Sequence, residues 1–231
     1  MRDINETLAD TADTSDVGEA KIDQELKSAL QRVAPIYRSK WWPSHDSGNR
    51  KWVELMQPMI YKMGSELAER LARIYRVAWP LDGIRVEVAS YANWAGAYTV
   101  SDPSLITISS ADDRNTGPSG LEILFHESSH ILDSKVEEQI SKICESNKLT
   151  EPKGLDHVIV FYTAGEAVKT VLSKGGDGSY VPYGIKYELY NRAPHWKGYY
   201  QAVEKYWQPY MDEKIDFDSA LVNVVKAAAK A

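Results

Sequence analysis

The chain has 231 residues, a net charge of −6 and a single cysteine, Cys144. That length supports one large domain or two small ones with a sizeable core. The acidic balance argues against a nucleic-acid partner, which needs a basic face. One cysteine excludes an internal disulfide, and its apolar helical position reads as core rather than as an activated thiol.

Met1–Gly18 is polar, rich in Asp and Thr, and nearly free of large apolar residues, so a disordered tail is expected there. It lacks the apolar centre of a signal peptide. Two compartments stay open, the cytoplasm or an exported protein whose leader has been removed, with export the preferred reading. Residues 19–231 are expected to form a single domain, with helices and a sheet to about residue 135 and helices from 136 onward. No run of 18 apolar residues occurs, so no membrane span is expected.

Ala20–Ile36 carries Ile22, Leu26, Leu30 and Val33 on one helical stripe. Ser39–Arg50 is dense in Trp, Pro and Gly and reads as a loop, with His45 and Asp46 inside it as a possible active-site contribution. Lys51–Val77 follows as a long amphipathic helix. The period then changes. Ile84–Val88, Trp94–Val100 and Leu105–Ile108 read as three strands, expected to be antiparallel, and Asp113–Gly120 as a turn. Helices are expected over Val136–Asn147, from an Asp156 cap to Ser173, over Trp196–Met211 and over Asp218–Ala229, with a glycine-rich loop at Lys174–Gly178.

Between the turn and the C-terminal helices lies Leu121-Glu-Ile-Leu-Phe-His-Glu-Ser-Ser-His130. His-Glu-x-x-His on a helix puts His126 and His130 on one face, able to share a metal ion, with Glu127 beside it where a general base must stand. With only 5 His in the chain, a chance match is rare. Helical geometry gathers Leu121, Leu124, Phe125, Ser128, Ile131 and Leu132 in one arc. Ser119, Glu122, His126, His130 and Asp133 fall in the opposite arc, predicting one face for the core and one for chemistry. Asp133, one turn past His130, can orient a ligand imidazole or be simply solvated.

A catalytic zinc ion needs a third protein donor. Ile131-Leu132-Asp133 contains no glycine, which rules out the metzincin continuation. Glu166 is the leading downstream donor, since it shares its helix face with Ile159, Tyr162 and Thr163 rather than with charges. Asp177 is its main rival, and His157 and His195 stand behind.

His126-Glu127-x-x-His130, Glu166 in Gly-Glu-Ala and Trp94-Ala-Gly-Ala-Tyr98 together resemble the gluzincin branch of zinc metallopeptidases, the thermolysin-like class, over about residues 84–172. That resemblance implies an α+β, zincin-like fold, with a small antiparallel or mixed sheet packed on the His-Glu-x-x-His helix and a mainly helical C-terminal half. It implies zinc on His126, His130 and Glu166, with Glu127 as base. It also implies an edge strand, Asn93–Thr99, pairing with a peptide or protein substrate, and an oxyanion donor from the C-terminal half. Tyr183 and Tyr187 lead for that last role, ahead of Tyr180, Tyr190 and His195. The chain is expected to be a monomer. The competing reading is a catalytically inactive zincin-like domain that binds a protein or polysaccharide through the aromatic run Trp196–Tyr210, a run that reads more simply as a core-facing helix. Glu127 separates the two, because a binding domain has no use for a base beside its ligands.

Overall fold

The computed structural model describes Val17, residues 20–101 and residues 104–231. The expected disordered tail, Met1–Gly18, lies outside the described residues except for Val17. The fold is α+β with a small mixed sheet. Two compact units divide the chain: Met1–Gln57 with Ile84–Thr116, and Pro58–Gly83 with Gly117–Ala231. Among the described residues no helix is long and apolar enough to cross a membrane.

In the first unit, α1 (Gln24–Lys40) is capped by Asp23, whose carboxylate accepts from the backbone N–H groups of Glu25 and Leu26. Its apolar stripe is not core: Val33 and Ile36 are exposed. The expected Trp-rich loop is helical instead. Only Trp41 separates α1 from α2 (Trp42–Tyr75), a helix that contributes residues to both units. Pro43 falls in the first turn of α2, where an N–H has no intrahelical partner and proline costs nothing. His45 is tied to this corner, its Nδ1 3.1 Å from the Tyr37 hydroxyl.

The sheet has the order β1 (Arg85–Ala89), β3 (Leu105–Ser109), β2 (Ala97–Val100). β2 runs antiparallel to β3, whereas β1 runs parallel to it, with Arg85 opposite Leu105. Of the antiparallel and mixed arrangements expected, the sheet has the mixed one, because the chain leaves β1, forms the far edge as β2, and only then returns to fill the centre. β3 is buried along its length, as a β-branched central strand should be. Asn115 ties off the sheet, donating from its amide to Gly96 O (2.9 Å) and Ser109 O (3.1 Å). Its backbone carbonyl accepts from the Trp52 indole at 2.7 Å. Gly96 has φ +92°, and a Cβ there would fall 2.5 Å from an Asp112 carboxylate oxygen, so only glycine fits.

The second unit holds the end of α2 with α3 (Gly117–Ser129), α4 (Ser134–Asn147), α5 (Leu155–Lys174), α6 (Tyr183–Lys186), α7 (Trp196–Tyr206), α8 (Gln208–Met211) and α9 (Phe217–Ala228). The expected helix from Trp196 to Met211 is interrupted at Trp207, a fully buried side chain whose indole donates to Thr163 Oγ1 at 3.0 Å. Tyr199, Val203, Trp207 and Met211 are all buried, so this aromatic run faces the core. α5 starts one residue before the expected Asp156 cap: Gly154, at φ +80°, turns the chain into it. α3 differs more from its amphipathic expectation, because every residue from Ser119 to Ser129 is buried. One face receives Trp79 against Phe125, ring centres 6.0 Å apart. The other, which carries Glu122 and His126, is covered by α5.

Candidate metal centre

His126 sits near the end of α3, 2% exposed, its ring stacked on Phe161 of α5 at 3.7 Å and 24°. The regular helix ends at Ser129, and the His130 N–H bonds back to Glu127 O at 3.2 Å, three residues away, which tightens the last turn. His130 consequently meets His126 edge-on, ring centres 4.9 Å apart at 86°. The third member is His157, in the first turn of α5. Its Nε2 lies 3.3 Å from the His126 Nε2, and its ring centre is 5.2 Å from that of His130. One ligating atom from each of the three histidines falls within 4.8 Å of the other two.

That spacing fits a shared cation. Two nitrogens bound tetrahedrally at about 2.0–2.1 Å from one zinc ion are about 3.3–3.4 Å apart, the separation found between His126 and His157. Two of the three rings favour the neutral form that a ligating imidazole must have. Burial, followed by the neighbouring His130 and His157, holds His126 well below the ordinary histidine value. Burial, then His130, brings His157 down to about 4. His130 differs. Burial alone would lower it, but the hydrogen bond to Asp133 and the charges of Glu127, Asp133 and Asp156 outweigh this and raise it. Its Nδ1 lies 3.1 Å from Asp133 Oδ2, which leaves Nε2 for the cluster. The possible orienting role read for Asp133 thus has its contact, and Asp133 is itself buried.

Glu127 is buried at 7% exposure, adjacent to His126, and its charge is felt at His130. Glu166, expected as the third donor, is not brought to the histidines. It lies nine residues beyond His157 on the same helix (166 − 157), about 13.5 Å along the axis and half a turn around it. Its carboxylate pairs with Lys169 Nζ at 3.1 Å. Asp177 is exposed in its loop and accepts from the Ser179 hydroxyl at 2.7 Å. His195 precedes α7 and packs on Tyr199, ring centres 5.0 Å apart. Tyr183 is buried against Phe161 at 6.2 Å and against Tyr187 at 4.5 Å, whereas Tyr187 is only half-buried.

Two contributors were not singled out as site residues in the sequence. Phe161 looked like ordinary core on its helix. Glu122 lies one turn before His126 on the same face, a register visible in the sequence. Its burial and its partners are what single it out: Oε2 accepts from the Tyr180 hydroxyl at 2.6 Å and from the Tyr183 N–H at 2.9 Å. No family model, no curated protein and no solved structure matches this chain.

Proposed function

We propose that the chain is a zinc-dependent peptidase in which His126, His130 and His157 hold the metal and Glu127 is the general base. The observation that carries this reading is the convergence of His157 on the His-Glu-x-x-His pair, with two ring nitrogens at 3.3 Å. Three imidazoles and an open fourth position are the donor set of catalytic rather than structural zinc. Zinc held there would act as a Lewis acid on the scissile carbonyl and bring the pKa of water toward neutrality. Glu127 takes the proton of the attacking water and returns it to the leaving amine. Asp133 holds His130 in the tautomer with the proton on Nδ1, and Phe161 covers the face of the His126 ring. Of the two tyrosines expected to donate to the oxyanion, half-buried Tyr187 is favoured over Tyr183, which is buried against Phe161. A peptide or protein substrate remains part of this proposal, as does a monomeric protein.

The test is zinc content, measured by elemental analysis, together with cleavage of a mixed peptide library by the wild type and by Glu127→Gln. Both proteins should carry zinc and only the wild type should cut. A wild type that holds stoichiometric zinc and cleaves nothing would favour the non-catalytic, partner-binding reading.

A further inference from the structure

The two histidines of α3 are held in different ways. His130 has the usual support of a metal-binding imidazole, a carboxylate on its other nitrogen. His126 does not: its Nδ1 is buried with no hydrogen-bond partner among the described residues. What touches the His126 ring instead is the face of Phe161, 3.7 Å away and 24° from parallel. Phe161 is in turn paired with the ring of Tyr183, 17° from parallel. Tyr183 is fixed through its backbone, because its N–H donates to Glu122 Oε2, and the Tyr180 hydroxyl donates to the same oxygen.

We infer that the orientation of the His126 ring is set by an aromatic stack, Phe161 and Tyr183, that Glu122 clamps from one turn earlier on the same helix. Glu122 is therefore a positioning residue for the metal cluster, a role that rests on the peptidase reading above.

Three observations support the clamp. Glu122 is fully buried, and both of its donors, the Tyr180 hydroxyl and the Tyr183 N–H, converge on its Oε2 inside the protein. The approach of α5 depends on a glycine, because a Cβ at Gly165 would lie 3.1 Å from Glu122 Oε1 and 2.8 Å from Pro182 Cβ. α3, α5 and the segment leading into α6 therefore meet at one carboxyl group. Finally, no step proposed for peptide hydrolysis uses Glu122, so burying it needs another explanation.

The test uses the full chain and three variants, Glu122→Leu, Glu122→Gln and Tyr180→Phe, each checked for folding by circular dichroism. The first readout is the NMR shift of the His126 ring protons in metal-free protein, where a stacked Phe161 displaces them upfield. The second is affinity for cobalt(II), a spectroscopic stand-in for zinc. Glu122→Gln keeps an acceptor for both donors and should preserve the upfield shift and hold cobalt affinity within a few-fold of wild type. Glu122→Leu should lose much of the shift and weaken cobalt binding roughly 10–100-fold, the usual cost of removing support from a metal ligand. Tyr180→Phe, which removes one of the two bonds with little change of shape, should fall between them and decides the matter if Glu122→Leu does not fold. A folded Glu122→Leu with wild-type His126 shifts and wild-type cobalt affinity would overturn the inference, as would a wild-type-like Tyr180→Phe where Glu122→Leu is unfolded. If the wild type binds no cobalt, the peptidase reading fails, and the ring shifts alone decide whether the clamp exists.

Discussion

The first turn and the middle of α5 each carry a potential metal donor, and their surroundings are opposite. His157 is packed among His126, His130, Phe161 and Trp196, with burial favouring its neutral form. Glu166 shares its charge with Lys169 and lies half a turn away from the histidine side. A carboxylate already paired with an ammonium gains little by binding a metal, while an imidazole that burial holds neutral, as at His126 and His157, keeps a lone pair to give. The position of a residue along its helix decides which donor reaches the cluster, and residue type alone does not.

The largest expected effect separates these two positions directly. His157→Ala should abolish stoichiometric zinc uptake, whereas Glu166→Ala should leave zinc content and peptide cleavage at wild-type levels; the reverse result would restore the carboxylate as ligand. Glu127→Gln should lower kcat by about 10²–10⁴-fold while zinc content stays unchanged, which separates the base from the ligands. Asp133→Asn, which weakens the hold on His130 Nδ1, should reduce zinc affinity by roughly 10–100-fold, measured by competition with a chelator. A loss no greater than that of a remote surface change would show that Asp133 is merely buried beside the cluster.

The remaining effect concerns Glu122 and is read as stability against pH. Burial raises its carboxyl to about 7 from an ordinary 4.5; the bonds from Tyr180 and Tyr183 oppose the shift and the charge of Glu166 adds to it. The native state therefore keeps a proton that the unfolded chain releases. The resulting stabilisation is complete below the unfolded value and is lost as pH rises through the folded one. Between about pH 4.5 and 7 the wild type should lose up to ~3 kcal/mol relative to Glu122→Gln. Denaturant titrations of the two proteins across that range measure it, and a constant difference would mean that Glu122 does not change charge on unfolding.

The strands and most helices of this chain were legible because apolar spacing reports burial one element at a time. Leu105–Ile108 reads as a strand, and it is one, buried along its length. The Trp-rich stretch after Ser39 misled because Trp, Pro and Gly are turn-formers by composition, yet Pro43 falls where a helix accepts it. α3 was legible as one core face and one polar face left for chemistry, but its spacing did not show that Glu122, His126 and Asp133 on the polar face find partners or covering rings inside the protein. The parallel pairing of β1 with β3 depends on where the chain goes between them, which local patterning does not record.

His126, Glu127 and His130 were determined by the sequence itself, because a helix turns 100° per residue and four residues bring two side chains back to one face. Covalent spacing enforces that relation whatever surrounds it. His157, Phe161 and the Glu122 clamp were decided only by tertiary packing. They join α3, α5 and the segment entering α6 across gaps of thirty or more residues, where helix ends and a glycine contact determine which side chains meet.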